Sequence, residues 1–162
     1  MCIRAVAAGE ELALLSIFQS SVRGLAFACY SPAQIDAWSP PEPDAAFCRQ
    51  WVERIRANRP WVVEIDGGLA GFADVQPSGY IDQFFVAPQY AGQGVGAALM
   101  RQLHAVARGA GASSLFADVS LAAQPFFARW GFAVESEGLP VVRGVALRNA
   151  RMRKALALVP GG

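Results

Sequence analysis

Three glycines spaced two apart, Gly92, Gly94 and Gly96, follow an apolar run, Tyr80–Val86, through a short loop and open an amphipathic stretch. Glycine lets a backbone turn tightly and lets a ligand come close to its amides. A helix starting there leaves several N–H groups unpaired at its positive end. Strand, glycine loop and helix start together make an anion cradle, usually for phosphate.

The surroundings of the loop discriminate among phosphate sites. A P-loop ends in Gly-Lys-Ser/Thr, whereas this loop runs Gly96-Ala97-Ala98. Gly92-Gln93-Gly94-Val95-Gly96-Ala97 formally matches the dinucleotide fingerprint, and Asp118 lies downstream where a ribose-binding acid would fall. That fold, however, places its first glycine at the strand end, and here Ala87–Ala91, with Pro88 among them, intervene.

The elements that must hold the loop are readable from periodicity. Ile3–Ala7 reads as a strand. A helix is expected from Glu10, with Leu14, Phe18, Val22 and Leu25 along one side. Ser31-Pro32-Ala33-Gln34 is a capping box with proline at the first helical position, opening a short helix through Trp38. Asp44 caps a third helix whose inner face is Phe47, Trp51 and Ile55. Trp61–Ile65 and Leu69–Val75 read as a hairpin across Asp66-Gly67-Gly68. Tyr80–Val86 is the next strand, and Val95, Leu99, Leu103 and Val106 form the buried stripe of the helix after the glycines. Ser114–Val119 reads as a strand, Ala122–Trp130 as a short helix, and Phe132–Glu137 and Val141–Leu147 as two last strands. The expectation is one α/β domain over residues 1–162, a mixed, mostly antiparallel sheet of about seven strands with about four to five helices.

Composition narrows the setting. A formal net charge of +1 argues against bulk nucleic acid or an anionic membrane as the main partner. No apolar run is long enough to span a bilayer, and Met1-Cys2-Ile3-Arg4 does not read as a signal peptide. Cys2, Cys29 and Cys48 are scattered without metal-ligand spacing, so no metal site is expected and a reducing cytoplasm fits best.

The segment Val86-Ala87-Pro88-Gln89-Tyr90-Ala91-Gly92-Gln93-Gly94-Val95-Gly96-Ala97-Ala98-Leu99-Met100 resembles the acyl-CoA signature of GCN5-related N-acetyltransferases (GNAT). Pro125-Phe126-Phe127-Ala128-Arg129-Trp130-Gly131-Phe132 is similar to that family's last helix and Gly-Phe turn. Arg143–Leu147, followed by Met152-Arg153-Lys154, resembles its closing strand, and Tyr30–Trp38 resembles a feature of one bacterial subgroup. The inferred element order agrees with the GNAT-like acyl-CoA N-acyltransferase fold.

The resemblance implies acetyl transfer from acetyl-CoA to a primary amine of a small molecule or peptide. The pyrophosphate would lie on the amides of Ala91, Gly92, Gln93, Gly94, Val95, Gly96 and Ala97, and the pantetheine arm along Phe84, Phe85 and Val86. An N–H of Phe85 or Val86 would hold the developing oxyanion. Asp82, on the same strand, is the expected base, with Tyr80 on its side of the strand as second candidate. Ser120 is a polar partner near the pantetheine or sulfur. Tyr30 and Trp38 resemble the acceptor-pocket wall.

Two departures stand out. The family pattern begins with Arg or Gln where Ala91 stands, and it offers a general-acid tyrosine where Phe127 stands. Phe127 motivates a second reading, a non-catalytic acyl-CoA-binding module. The basic tail of Arg148, Arg151, Arg153 and Lys154 motivates a third, a toxin-like enzyme acting on charged tRNA, with a solvated chain end as the default. Glu64 and Asp74 read as solvated strand-face charges, with a substrate anchor as the alternative for either, and His104 as structural or solvent-facing. Homodimers are common in the family, yet no patch of this sequence declares an interface.

Overall fold

The computed structural model describes residues 1–157. The chain opens with β1 (Cys2–Ala5), followed by α1 (Glu11–Leu25), α2 (Pro32–Trp38) and α3 (Ala45–Asn58). The hairpin β2 (Trp61–Ile65) and β3 (Gly68–Ala73) comes next, then β4 (Tyr80–Ile81), β5 (Phe84–Val86) and a 3-10 turn at Pro88–Tyr90. The second half holds α4 (Val95–Gly109), β6 (Ser114–Ser120), α5 (Gln124–Arg129), β7 (Ala133–Gly138), β8 (Val141–Val142), β9 (Val145–Ala146) and β10 (Asn149–Ala155).

Local chemistry accounts for the helix starts. Ser31 Oγ accepts from Gln34 N–H while Gln34 Oε1 accepts from Ser31 N–H, the reciprocal capping box. Asp44 accepts from Phe47 N–H at 2.8 Å and starts α3.

Tyr80–Val86 reads as one strand, but it breaks in two. β4 pairs in parallel with β6, in a sheet ordered β4-β6-β10-β7, whereas β5 pairs with β3, in a sheet ordered β1-β2-β3-β5. The break falls at Asp82 and Gln83, between the two halves. Counted as one broken strand, β4 and β5 bring the main sheets to the expected seven. All main-sheet pairings but β4–β6 are antiparallel.

The end of the chain also differs from expectation. Val141–Leu147 forms only the small β8–β9 hairpin, and the closing strand is β10. The basic tail is therefore a strand within a sheet. Arg151 pairs with Asp118 at 2.9 Å and Arg153 with Glu135 at 3.1 Å, while Lys154 Nζ lies 2.8 Å from His104 Nε2. Carboxylates thus match Arg151 and Arg153, two of the four basic residues that motivate the charged-tRNA reading.

Helices cover both faces of the sheets. Leu14, Phe18 and Val22 of α1 pack with Trp51 and Ile55 of α3 against Val62, Phe72 and Phe85. On the other face Val95, Leu99 and Leu103 of α4 pack against Val63, Ala70, Leu115 and Met152. The β2–β3 register carries a bulge at Val63/Glu64. A Cβ on Gly71 would stand 2.9 Å from Val95 Cγ1, so only glycine lets α4 lie this close to the sheet. Among the described residues no helix is long and apolar enough to cross a membrane.

Candidate acyl-donor and acceptor site

The parting of β4 and β5 leaves one edge of β5 without a strand partner. The β3–β5 ladder fixes which groups face that gap. Ala87 N–H donates to Ala70 at 2.8 Å and Asp74 N–H donates to Gln83 at 3.1 Å. Bonded pairs alternate in an antiparallel ladder, so Phe85, opposite Phe72, is the bonded residue between them. The N–H and C=O of Phe84 and Val86 therefore point toward the open edge. This corrects half of the oxyanion expectation: the Phe85 amide is committed to β3, and Val86 keeps its N–H free.

The glycine loop lies at the end of this edge. Gly92 and Gly94 have φ of +77° and +83°, and a Cβ on either would meet nothing nearer than Met1 Cε at 4.0 Å. No side chain caps α4. Among the described residues no protein acceptor reaches the N–H of Gly92, Gly94, Val95, Gly96 or Ala97. A concave set of unpaired amides at a helix start suits a phosphate group. The Ala91 and Gln93 amides drop out of the expected set, because they donate to Pro88 and Tyr90. The Gln93 side chain turns back on the Gln89 carbonyl and does not line the cavity. Gly96 serves packing, since a Cβ there would stand 3.2 Å from the Phe126 ring.

Loop and open edge belong to one cavity of about 530 Å³ that continues to α1 and α2. Its wall includes Phe84, Phe85, Val86, Ser120, Phe127 and Trp38 of the expected residues. Phe127 is 3 % exposed and packs on Phe84 and Phe132, so the family's acid position holds a buried hydrocarbon ring. Tyr30 is placed differently from expectation. It is buried outside the cavity, donates through its hydroxyl to the Arg148 carbonyl at 2.5 Å and accepts from Leu121 N–H at 3.0 Å. It ties α2 to the second half of the chain.

Asp82 and Tyr80 also lie off the cavity wall. Asp82 is gripped by α3: Arg54 donates to both carboxylate oxygens at 2.6 and 2.7 Å, and Asn58 donates at 2.6 Å. Burial pushes its carboxyl up, but Arg54 and Asn58 outweigh this and hold it below the usual value. A carboxylate so compensated is a poor proton acceptor. Tyr80 stacks beside Phe116, and burial with the nearby Asp82 raises its pKa, which keeps it a protonated phenol with no phenolate available as a base at neutral pH.

Sequence reasoning missed Arg129 and misread Asp74, which is no solvated strand-face charge. Asp74 is 0 % exposed and accepts from the amides of Asp82 at 2.9 Å and Gln83 at 3.1 Å, where the strand breaks. Burial, with the charge of Asp82, pushes it up to about 6. Arg129 of α5 lines the cavity, and no acidic side chain pairs with it among the described residues. It supplies a cation on the cavity wall where Ala91 has none. Its position in the last turn of α5 was legible, but its place on the cavity wall depends on tertiary contact. His104 takes the structural of its two expected roles: it is 4 % exposed, and Nδ1 lies 2.7 Å from the Met100 carbonyl. Lys154 donates to Nε2, which leaves the proton on Nδ1.

Comparison with known proteins agrees with this geometry. The family model described as "Acetyltransferase (GNAT) domain" matches residues 28–155. The N-acetyltransferase YafP of Escherichia coli K12, itself uncharacterized, is 33% identical over 151 residues, 93% of each chain. A crystal structure of a GCN5-related N-acetyltransferase from Rhodopseudomonas palustris superposes with a TM-score of 0.90 at 28% identity, covering 96% of this chain and 95% of that one. YncA of Salmonella typhimurium, solved with acetyl-CoA, shares the fold with a TM-score of 0.66 at 21% identity, covering 100% and 96%. The open strand edge, the free amides and these likenesses together place the chain in the GCN5-related N-acetyltransferase family, as an acetyl-CoA-dependent N-acetyltransferase.

Proposed function

We propose that this chain acetylates a primary amine of a small molecule or peptide by direct attack on the thioester. The observation that carries the reading is the continuity of one cavity from the unpaired amides of the glycine loop, past the open edge of β5, to the wall formed by α1 and α2. Acetyl-CoA supplies the activated acyl group and a thiol that leaves readily. Gly92, Gly94 and the first turn of α4 hold its phosphates through backbone N–H groups. The free edge of Phe84 and Val86 accepts an extended arm as an added strand would. The Val86 N–H meets the negative charge that develops on the acyl oxygen. Ser120, at the end of β6, borders the sulfur side.

Release of thiol from acetyl-CoA across a panel of alkyl, aryl and peptide amines, with acetylated product identified by mass, tests this reading. Tight acetyl-CoA binding without turnover of any amine would count against it.

Arg129 gives a separate expectation. As a point charge beside the phosphates, it contributes to ground and transition state alike. Arg129→Ala should raise KM for acetyl-CoA by about three- to tenfold with kcat nearly unchanged, the size of an exposed charge-assisted contact. The effect should shrink at high salt. An unchanged KM at low salt would remove Arg129 from the phosphate site.

A further inference from the structure

The acceptor half of the cavity is formed by Ser21, Val22, Leu25 and Ala26 of α1, Trp38 of α2 and the ring of Phe85. Its character is set by what these side chains lack. Among the described residues lining the cavity there is no Asp, Glu or His. The titratable side chains on its wall are Tyr90 and Arg129, neither of them a carboxylate or an imidazole. The neighbouring carboxylates are spoken for: Asp36 pairs with Arg23 at 3.1 Å, and Asp82 is held by Arg54 and Asn58.

Such a chamber handles the two protonation states of an amine very differently. An alkylammonium would be taken out of water into an apolar pocket with no counter-charge, which is strongly unfavourable. No carboxylate or imidazole lines the cavity to take its proton. With an ordinary amine pKa near 10, only about one molecule in a thousand is neutral at pH 7. An amine whose lone pair is delocalised into an aromatic ring is neutral at that pH, and its flat apolar body matches Trp38 and Phe85.

The geometry points to a weakly basic, planar aromatic amine as the acceptor, bound neutral against Trp38 and Phe85. This rests on the acetyl-transfer reading above and narrows it.

The proton balance then closes without a side-chain acid or base. The neutral nitrogen attacks the thioester carbon, the C–N bond forms and the C–S bond breaks, and the sulfur leaves with the electron pair. The nitrogen gives up one proton as it becomes an amide, and the departing thiolate takes it, directly or through water. The products are the N-aryl acetamide and free thiol. Phe127 in place of an acid is consistent with this economy, because a thiolate with pKa about 8.5 needs little help to leave.

The test uses the whole chain with acetyl-CoA and two acceptors of like shape, 2-naphthylamine and 2-(aminomethyl)naphthalene, following thiol release and product mass from pH 6.5 to 8.5. The aromatic amine should have a kcat/KM higher on the order of a hundredfold at pH 7, with little pH dependence, whereas the alkyl amine should gain about tenfold per pH unit. Preference for the alkyl amine at pH 7 would overturn the inference and leave acetyl transfer standing. So would acetylation of alkyl or peptide amines elsewhere in the panel with none on the naphthylamine. Failure of every amine would instead remove the acetyl-transfer reading itself, and this inference with it. Ser21→Asp supplies the missing carboxylate, and it should move the preference at least about tenfold toward the alkyl amine by admitting the ammonium and accepting its proton within the cavity. A folded variant with an unchanged ratio would show that the missing charge does not set selectivity.

Discussion

Gly94→Val is expected to abolish acetyl-CoA binding while leaving a folded protein. Gly94 caps α4 with φ of +83°, a conformation that a β-branched residue adopts only under strain of roughly 1–3 kcal/mol. Its Cβ would project into open space, with Met1 Cε at 4.0 Å as the nearest neighbour. The side chain would therefore clash with little protein and occupy the hollow that the free amides surround. Loss of two or three charge-assisted hydrogen bonds, at about 1.5–3 kcal/mol each, is a loss of affinity of a hundredfold or more. Calorimetric titration with acetyl-CoA, beside a thermal melt, separates strain from blockage: the melt should fall by a few degrees and the binding heat should vanish. A stable variant with unaltered affinity would sink the cradle. Gly96→Ala is the internal comparison, since its Cβ meets the Phe126 ring at 3.2 Å and the cost falls on packing.

Much of this architecture was legible because it is written in local patterns. The capping box at Ser31, the Asp44 cap, the Asp66-Gly67 turn and the stripe of Val95, Leu99 and Leu103 each encode an element within a few residues. The glycine loop was legible for the same reason, since backbone conformation and ligand approach are both short-range demands. The misreadings were tertiary. Tyr80–Val86 carries the apolar character of one strand, and nothing in its composition announces that one half joins β6 and the other β3. Leu25 continues the stripe of α1, yet it is 45% exposed, at the cavity rather than in the core. The charges of β10 looked solvated because their partners, Asp118, Glu135 and His104, lie more than fifteen residues away in sequence.

The surroundings of Asp82 were hidden from the sequence on the same ground. Asp82 stands where a base would be convenient, but a base needs a free lone pair as well as an address. Arg54 and Asn58, one turn apart on α3, occupy both of its oxygens. A sequence shows the carboxylate and not the guanidinium that crosses to it. On the aromatic-amine proposal, with Asp82 engaged and Phe127 apolar, selectivity passes to the protonation state in which the acceptor arrives.

Asp74 is the residue on which that geometry depends. Its two oxygens take the N–H groups of Asp82 and Gln83, the peptide units that lose their strand partners where β4 leaves one sheet and β5 joins the other. Asp74→Ala leaves both amides buried without acceptors, at about 1–3 kcal/mol each. The sign of the pH dependence is opposite to that of an ordinary paired carboxylate. Burial raises Asp74 to about 6 from 3.8, so the folded state holds the proton more tightly than the unfolded chain. Its contribution is fully present below about pH 4 and declines by up to about 3 kcal/mol as pH rises through 6. Asp82, held below the usual value, contributes stability above the unfolded carboxylate range and loses it only in stronger acid. The penalty of Asp74→Ala in urea denaturation should therefore be greater at pH 4.5 than at pH 7.5. Acetyl-CoA affinity should fall at both, because the open edge of β5 is no longer held away from β6. Equal penalties at the two pH values would remove the buried-acid account, and unaltered affinity in the folded variant would show that the gap is held by other contacts.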